Sequence, residues 1–146
     1  MDGPEGSTIW MAAHWLKIVD EAFAEDQYRR AKREIAHQCL GFGWAGEWPK
    51  SWVGPMDIDS GPVIPIIDLS AGSSGQAFVA AASFGDIEYY GALTTTLMFA
   101  GFPLFHDGRM QFCASNQVGD AVLLYSAVAG PLWQTIRERG RRVEAP

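Results

Sequence analysis

The chain has 146 residues, of which 48% are hydrophobic and 19% charged, and its formal net charge is −6. This length fits one domain, and the apolar content excludes a disordered chain because enough surface can be buried to form a core. The acidic balance argues against nucleic acid as a partner, since binding phosphates needs a dense basic face.

Two helices are predicted in the first 40 residues. Apolar residues almost surround the segment 7–19, which indicates a largely buried helix. The segment 21–40 has one charged face and one packed face, so the two helices are predicted to form an α-hairpin. The small or apolar positions on the packed face are Ala24, Tyr28, Ala31, Ile35 and Cys39.

A long loop is predicted over residues 41–69, because glycine, proline and tryptophan recur there every few residues. Loops of this length in a compact domain are usually functional or disordered, and the aromatic content favours function. Within it, Trp44, Trp48 and Trp52 follow one another at intervals of four, with Glu47 beside them.

The second half is predicted to be helical, with one short β-ribbon. A helix of small residues over 70–84 ends at Gly85-Asp86, and another helix follows over 87–100. Asp107-Gly108 between apolar residues is typical of a hairpin turn over 103–112. A fifth helix over 118–129 is apolar on all sides and is predicted to be buried. Gly130-Pro131 is predicted to end or kink it, with one or two more turns over 132–142 and a frayed tail over 141–146.

The order of these elements resembles the C-terminal part of (α/α)6-toroid proteins. The features that carry the resemblance are the capped helix after Pro4-Glu5-Gly6-Ser7, the Trp/Gly loop, and the segment Asp57-Ile58-Asp59-Ser60-Gly61-Pro62 leading into a small-residue helix. Six-hairpin glycosidase-like proteins and proteins similar to linalool dehydratase-isomerase are the families concerned. The resemblance implies paired inner and outer helices, with a site at the mouth where loops project inward.

A complete toroid contains about 12 helices of about 12 residues each, and together with the loops between the helices this is far more than one domain of 1–146 can supply. The resemblance therefore implies an all-α domain that is half of a toroid. Such a domain is either the fragment of a larger chain or completes its core by association, and a homo-oligomer is one form of that association.

Asp57 and Asp59 are the candidate catalytic residues. If the loop is extended there, side chains two residues apart project to the same side, so both carboxylates would face one cavity. Crowding can separate the pKa values of two carboxyls and so divide them into acid and base. The alternative is that both residues cap helix ends or bond loop amides, as aspartate does in turns.

The candidate substrate-binding residues are aromatic, acidic or imidazole side chains placed near this loop. They are Glu5, His14, Trp44, Glu47, Trp48, Trp52 and His106. Sugars and terpenoids stack on tryptophan, but the tryptophans can equally pack against the core and hold the loop in place. Glu5 can instead favour the positive end of the first helix, and His14 can be a buried histidine with satisfied hydrogen bonds.

No cofactor or metal is predicted. Cys39 and Cys113 form no zinc-type pair and are predicted to be buried reduced thiols, as in a cytoplasmic protein, while Gly72-Ser73-Ser74-Gly75 lacks the lysine of a phosphate loop. The uncharged segments 89–106 and 121–136 raise a membrane association as a minor alternative, but glycine and proline interrupt both.

Two functions remain open at this point. The first is an enzyme fragment or subunit that acts on a neutral carbohydrate or a similar small-molecule substrate by carboxylate acid/base chemistry, as a glycosidase-like hydrolase or a lyase or isomerase. The second is a non-catalytic helical module that associates with a partner or a second copy.

Overall fold

The computed structural model describes residues 3–56 and 61–144, and that part of the chain is mostly helical, with five helices and three two-stranded antiparallel sheets. The helices are α1 (Gly6–Leu16), α2 (Glu21–Ile35), α3 (Ala71–Phe84), α4 (Ile87–Ala100) and α5 (Gln117–Glu144). The strands are β1 (Ala36–Cys39), β2 (Phe42–Ala45), β3 (Val63–Ile64), β4 (Leu69–Ser70), β5 (Pro103–His106) and β6 (Arg109–Phe112).

The helix α3 lies at the centre of the fold and packs against α1, α4 and α5. Its small side chains allow this, because neighbouring helices can approach closely on several sides. Around it, α1 packs on α2, so both of the predicted helix pairs are in contact. The largest buried side chains of the hydrophobic core are Trp10, Tyr28, Ile35, Phe78, Tyr89 and Leu93.

The boundaries of α3 and α4 follow from local capping. The Ser70 side chain accepts the N–H of Ser73 at the start of α3, and Gly85 ends that helix with a positive φ of 68°. Asp86 then caps α4 by accepting the N–H of Tyr89. The predictions of these two helices and of the hairpin at Asp107-Gly108 are confirmed.

The second helix is shorter than predicted, because α2 ends at Ile35 and the chain turns into the hairpin β1–β2. Leu40 and Gly41 form the turn, both with positive φ. Strand β2 packs on α4, and this tertiary contact outweighs the helical spacing that extended to Cys39. The predicted continuous loop over 41–69 is likewise wrong in part, since it contains β2, β3 and β4.

The fifth predicted helix and the turns predicted after it form one helix, α5, which runs through Pro131, so the alternative in which Gly130-Pro131 ends the helix is wrong. The prediction that this helix is buried is wrong too, since several of its apolar residues are exposed. Only one side of α5 packs on α3, where Gly130 lies against the Ala82 carbonyl. The prediction of buried cysteines is also wrong, since Cys39 and Cys113 are free and exposed.

Candidate functional site

The two candidate catalytic residues, Asp57 and Asp59, lie outside the described residues. Glu47, one of the two glutamates of the predicted site, is fully buried, and its backbone carbonyl accepts the N–H of Gly6 at 2.7 Å. Glu47 therefore belongs to the interior, where the loop joins the start of α1, and does not line an open mouth.

The predicted tryptophan platform packs largely against the protein itself. Trp48 is buried, and Gly3 lies so close to Trp48 and Trp52 that a Cβ at this glycine would come within 2.7 Å and 2.9 Å of their rings. The Nε1 of Trp52 donates to the carbonyl of Pro55 at 3.2 Å. These contacts match the alternative in which the tryptophans hold the loop on the core.

Glu5 directly precedes Gly6, whose N–H donates to the backbone carbonyl of Glu47, so the start of α1 lies beside Glu47. Glu5 is the N-cap residue of α1, but its side chain makes no capping hydrogen bond. His106 is the exposed last residue of β5, and its Nε2 is 3.2 Å from the carboxylate of Asp107 in the turn that follows. The exposed position gives His106 no fixed relation to a described cavity.

His14 is fully buried in a network of neutral hydrogen bonds. The Ser83 hydroxyl donates to the carbonyl of Val79 at 2.8 Å, so it must accept from Nδ1–H of His14, which lies 2.6 Å away. The other ring nitrogen, Nε2, then accepts from the Tyr125 hydroxyl at 3.0 Å. This network fixes the tautomer of His14 and joins α1, α3 and α5. It corresponds to the alternative in which His14 is a buried histidine with satisfied hydrogen bonds.

Burial of the imidazole, with the nearby positive charge of Lys17, lowers the pKa of His14 from 6.5 to about 4. The unfolded chain therefore binds this proton at a higher pH than the folded chain does. The stability contributed by neutral His14 is fully present above pH 6.5 and is lost as the pH falls towards 4.

We expect acidification across this range to remove about 2 to 3 kcal/mol of the free energy of unfolding through His14 alone. His14→Gln should flatten the pH dependence measured by urea denaturation, because glutamine does not titrate. The matched control is His106→Gln, which removes an exposed histidine and should leave the profile unchanged. Equal pH profiles for wild type and His14→Gln would contradict this account.

One cluster was not anticipated from the sequence: His37, Trp44 and Asp68. The Nε2 of His37 is 3.0 Å from Oδ2 of Asp68, and its ring stacks on Trp44 with ring centres 5.6 Å apart and planes at 7°. The Nε1 of Trp44 donates to the carbonyl of Ile67. The cluster ties the hairpin β1–β2 to the turn before β4. His37 and Asp68 are 31 residues apart and belong to no spacing motif, so no local signal could have found them.

A row of exposed apolar side chains follows α5 at intervals of four residues. We call it the α5 stripe, and it comprises Leu124, Val128, Leu132 and Ile136, each between 46% and 70% exposed. Residues four apart lie on the same helix face, so the stripe is continuous along the side of α5 that α3 does not cover. A contiguous exposed apolar row of this kind is a candidate interaction surface.

The chain matches no protein-family model, and no curated protein is significantly similar to it. The resemblance to toroid proteins therefore remains a prediction. Within residues 3–56 and 61–144, none of the helices has the combination of length and apolarity needed to cross a bilayer.

Proposed function

We propose that this chain is a helical association module that pairs with a second copy of itself through the α5 stripe. The observation that carries the proposal is the row of exposed apolar side chains on the face of α5 that α3 does not cover. In a two-fold dimer the same surface patch of both copies forms the interface, so that patch must be complementary to itself. An apolar face meets this requirement.

The positions of the stripe are consistent with antiparallel pairing of two α5 helices. A two-fold axis at the level of Gly130 places Leu124 opposite Ile136 of the second copy and Val128 opposite Leu132, since each pair is equidistant from residue 130. All four members of the stripe then meet apolar partners. Burial of such side chains contributes about 1.5 to 3 kcal/mol each.

The charges along α5 favour the same orientation. Asp120 lies near the start of the helix, and its last turns, residues 137–144, carry four arginines against two glutamates. Antiparallel pairing brings the acidic start of one helix beside the basic end of the other, whereas parallel pairing places like charges together. The two helix dipoles are also opposed in the antiparallel arrangement.

The toroid resemblance supports a dimer as well, because two copies with five described helices each supply ten, close to the about 12 of a complete ring. The experiment is a measurement of the mass of the purified chain in solution, for wild type and for Leu132→Asp. A dimer that the substitution converts to a folded monomer is the expected result.

A second candidate function is acid/base chemistry on a neutral carbohydrate by Asp57 and Asp59. One observation favours it: Gly61 and Pro62, which follow these aspartates in the sequence, line a cavity of about 520 Å³. A volume of this size is typical of small-molecule sites. The hydrolase and the lyase or isomerase reactions remain alternatives within this function.

For this second function we expect Asp59→Asn to abolish turnover of aryl glycosides while leaving the melting temperature nearly unchanged, because the amide cannot accept or donate the catalytic proton. Asp107→Asn, in the exposed turn between β5 and β6, is the matched control and should retain full activity. A wild-type chain that hydrolyses no glycoside would contradict the hydrolase alternative, and an Asp59→Asn chain with a much lower melting temperature would contradict a catalytic role for Asp59.

A further inference from the structure

We propose that α5 is a pH-sensitive arm, which detaches from α3 on acidification while the other helices stay packed, and that His14 is the group that senses the pH. Among the described elements, α5 packs extensively on α3 alone. The buried cluster of the hydrophobic core is formed by residues that precede α5 in the chain, and only the partly buried Leu123 of α5 packs against that cluster. Detachment of α5 therefore leaves the core closed, as in a local opening of low free-energy cost.

A hydrogen bond between α5 and α1 depends on the charge of His14. The Tyr125 hydroxyl donates to Nε2 of the buried His14 ring at 3.0 Å, and the two rings meet edge to face with centres 5.6 Å apart. Another bond of α5 joins the hydroxyls of Ser126 and Tyr90 at 3.3 Å, and such hydroxyl groups carry no charge near neutral pH. The contact between His14 and Tyr125 is therefore the pH-dependent part of the attachment of α5.

Protonation of His14 places a positive charge beneath α5. The Nδ1–H already donates to Ser83, so the added proton goes to Nε2, and the Tyr125 hydroxyl can no longer donate there. Burial of the ring, with the positive charge of Lys17 nearby, lowers the pKa of His14 to about 4 while α5 is docked. Removal of α5 exposes the Nε2 side of the ring to water, which moves the pKa back towards 6.5.

The chain with α5 released binds this proton at a higher pH than the chain with α5 docked. Docking is therefore fully stable above pH 6.5 and weakens as the pH falls towards 4. With these two pKa values, the ratio of docked to released α5 falls by about 20-fold between pH 7 and pH 5. Lys17 stays beside the ring after detachment, so this factor is the upper value.

Four helices contribute groups around His14. Lys17 of α1 is the nearby cation, and its Nζ is 4.0 Å from the carboxylate of Glu21 at the start of α2. Helix α3 contributes the Ser83 hydroxyl and α5 the Tyr125 hydroxyl. Carboxyl groups are ordinarily ionised at pH 5, whereas histidine changes its charge between pH 7 and pH 5. The experiment therefore compares these two pH values.

This inference does not rest on the proposed pairing of two α5 helices. The α5 stripe lies on the side of α5 that α3 does not cover, so pairing and docking use different faces of the helix. A measurement on Leu132→Asp reports on docking alone. A wild type that is a monomer contradicts the pairing and leaves the pH test unaffected.

The test is amide hydrogen exchange of the full chain at pH 7 and pH 5, expressed as protection factors so that the intrinsic effect of pH on exchange is removed. Urea below the unfolding transition separates local from global opening, because an opening that exposes little surface depends weakly on urea. His14→Gln removes the titrating group. The matched controls are His37→Gln and His106→Gln, which replace the other two histidines of the chain in the same way.

We expect the amides of α5 to be less protected than those of α2 at both pH values and to depend less on urea. Their protection should fall by about 10- to 20-fold from pH 7 to pH 5 in the wild type, in Leu132→Asp and in both controls, and should change little in His14→Gln. Tyr125→Phe removes the donor to Nε2 and should lower the protection of α5 at pH 7 by about threefold to tenfold, which keeps the test valid if His14→Gln does not fold.

Three results would overturn the inference. Equal protection and equal urea dependence of α5 and α2 would show that α5 opens only with the whole fold. An undiminished fall of protection with pH in His14→Gln would show that His14 is not the sensor. Unchanged protection of α5 in Tyr125→Phe would show that the Tyr125 hydroxyl does not hold α5 in place.

Discussion

Asp86→Ala is expected to lower the free energy of unfolding by about 2 to 3 kcal/mol. The Asp86 carboxylate accepts from Lys32 Nζ at 2.6 Å, from the Tyr28 hydroxyl at 2.9 Å, and from the N–H of Tyr89 at 3.0 Å. Alanine would leave a partly buried ammonium and a buried hydroxyl without their acceptor. It would also remove the cap of α4, which contributes about 1 kcal/mol.

The pKa values of Asp86 and of its partner Tyr28 agree with that expectation. Burial alone would raise the pKa of Asp86, but the hydrogen bonds from Lys32, Tyr89 and Tyr28 outweigh it and hold the pKa below the usual 3.8. Burial and the neighbouring carboxylate raise the pKa of the Tyr28 hydroxyl, which stays protonated as a donor. The stability contributed by Asp86 is therefore present above its unfolded pKa and is lost as the pH falls through the lower folded value.

The matched control is Asp26→Ala, which breaks the exposed ion pair with Arg30 and should cost less than about 1 kcal/mol. Urea denaturation of the two variants at neutral pH provides the comparison. Asp86→Asn should fall between them, since the amide keeps one capping oxygen and loses the charge. If Asp86→Ala unfolds at the same urea concentration as Asp26→Ala, the hydrogen bonds of Asp86 do not stabilise the start of α4.

Leu132→Asp is expected to raise the dissociation constant of the proposed dimer by about a hundredfold or more. Leu132 lies near the middle of the stripe, so in a two-fold dimer the substitution removes two apolar contacts and places two carboxylates close to the axis. The fold of the single chain should be retained, because Leu132 is already 46% exposed. Helicity by circular dichroism checks that retention.

Leu40→Asp is the matched control for this prediction. It makes the same chemical change at a residue that is 94% exposed in the turn of the hairpin β1–β2, away from α5. Its positive φ of 51° is a conformation that aspartate tolerates better than leucine. Equal dimer stability for Leu132→Asp and Leu40→Asp would show that α5 is not the interface.

The sequence predicts well the elements whose boundaries depend on local chemistry. The caps at Ser70 and Asp86 and the turn at Asp107-Gly108 act within three or four residues, so their pattern is visible in the chain itself. The apolar spacing at Ala24 and Tyr28 likewise identifies the packed face of α2.

The features that the sequence did not predict depend on distant contacts. The hairpin β1–β2 replaces the last turn of a predicted helix because it packs on α4, more than 40 residues along the chain. The exposure of α5 could not be predicted, because an all-apolar helix is equally consistent with burial in its own chain and with burial against another.

The same difference between local features and distant contacts applies to the candidate site. The aromatic loop was recognisable from its composition, but whether Trp48 faces a ligand or the core depends on contacts with Gly3, far away in the sequence. The hydrogen-bond partners of His14, Ser83 and Tyr125, are 69 and 111 residues away. Spacing arguments do not extend over such separations.

The central claim is that α5 pairs with a second copy of itself, and the most direct measurement is the absolute mass of the purified chain by light scattering in detergent-free buffer. We expect the wild type and Leu40→Asp to have twice the mass of one 16.0 kDa chain, and Leu132→Asp to have the mass of one chain. The melting temperature of the wild type should also rise with protein concentration. A wild type that remains a folded monomer at every concentration would contradict the claim.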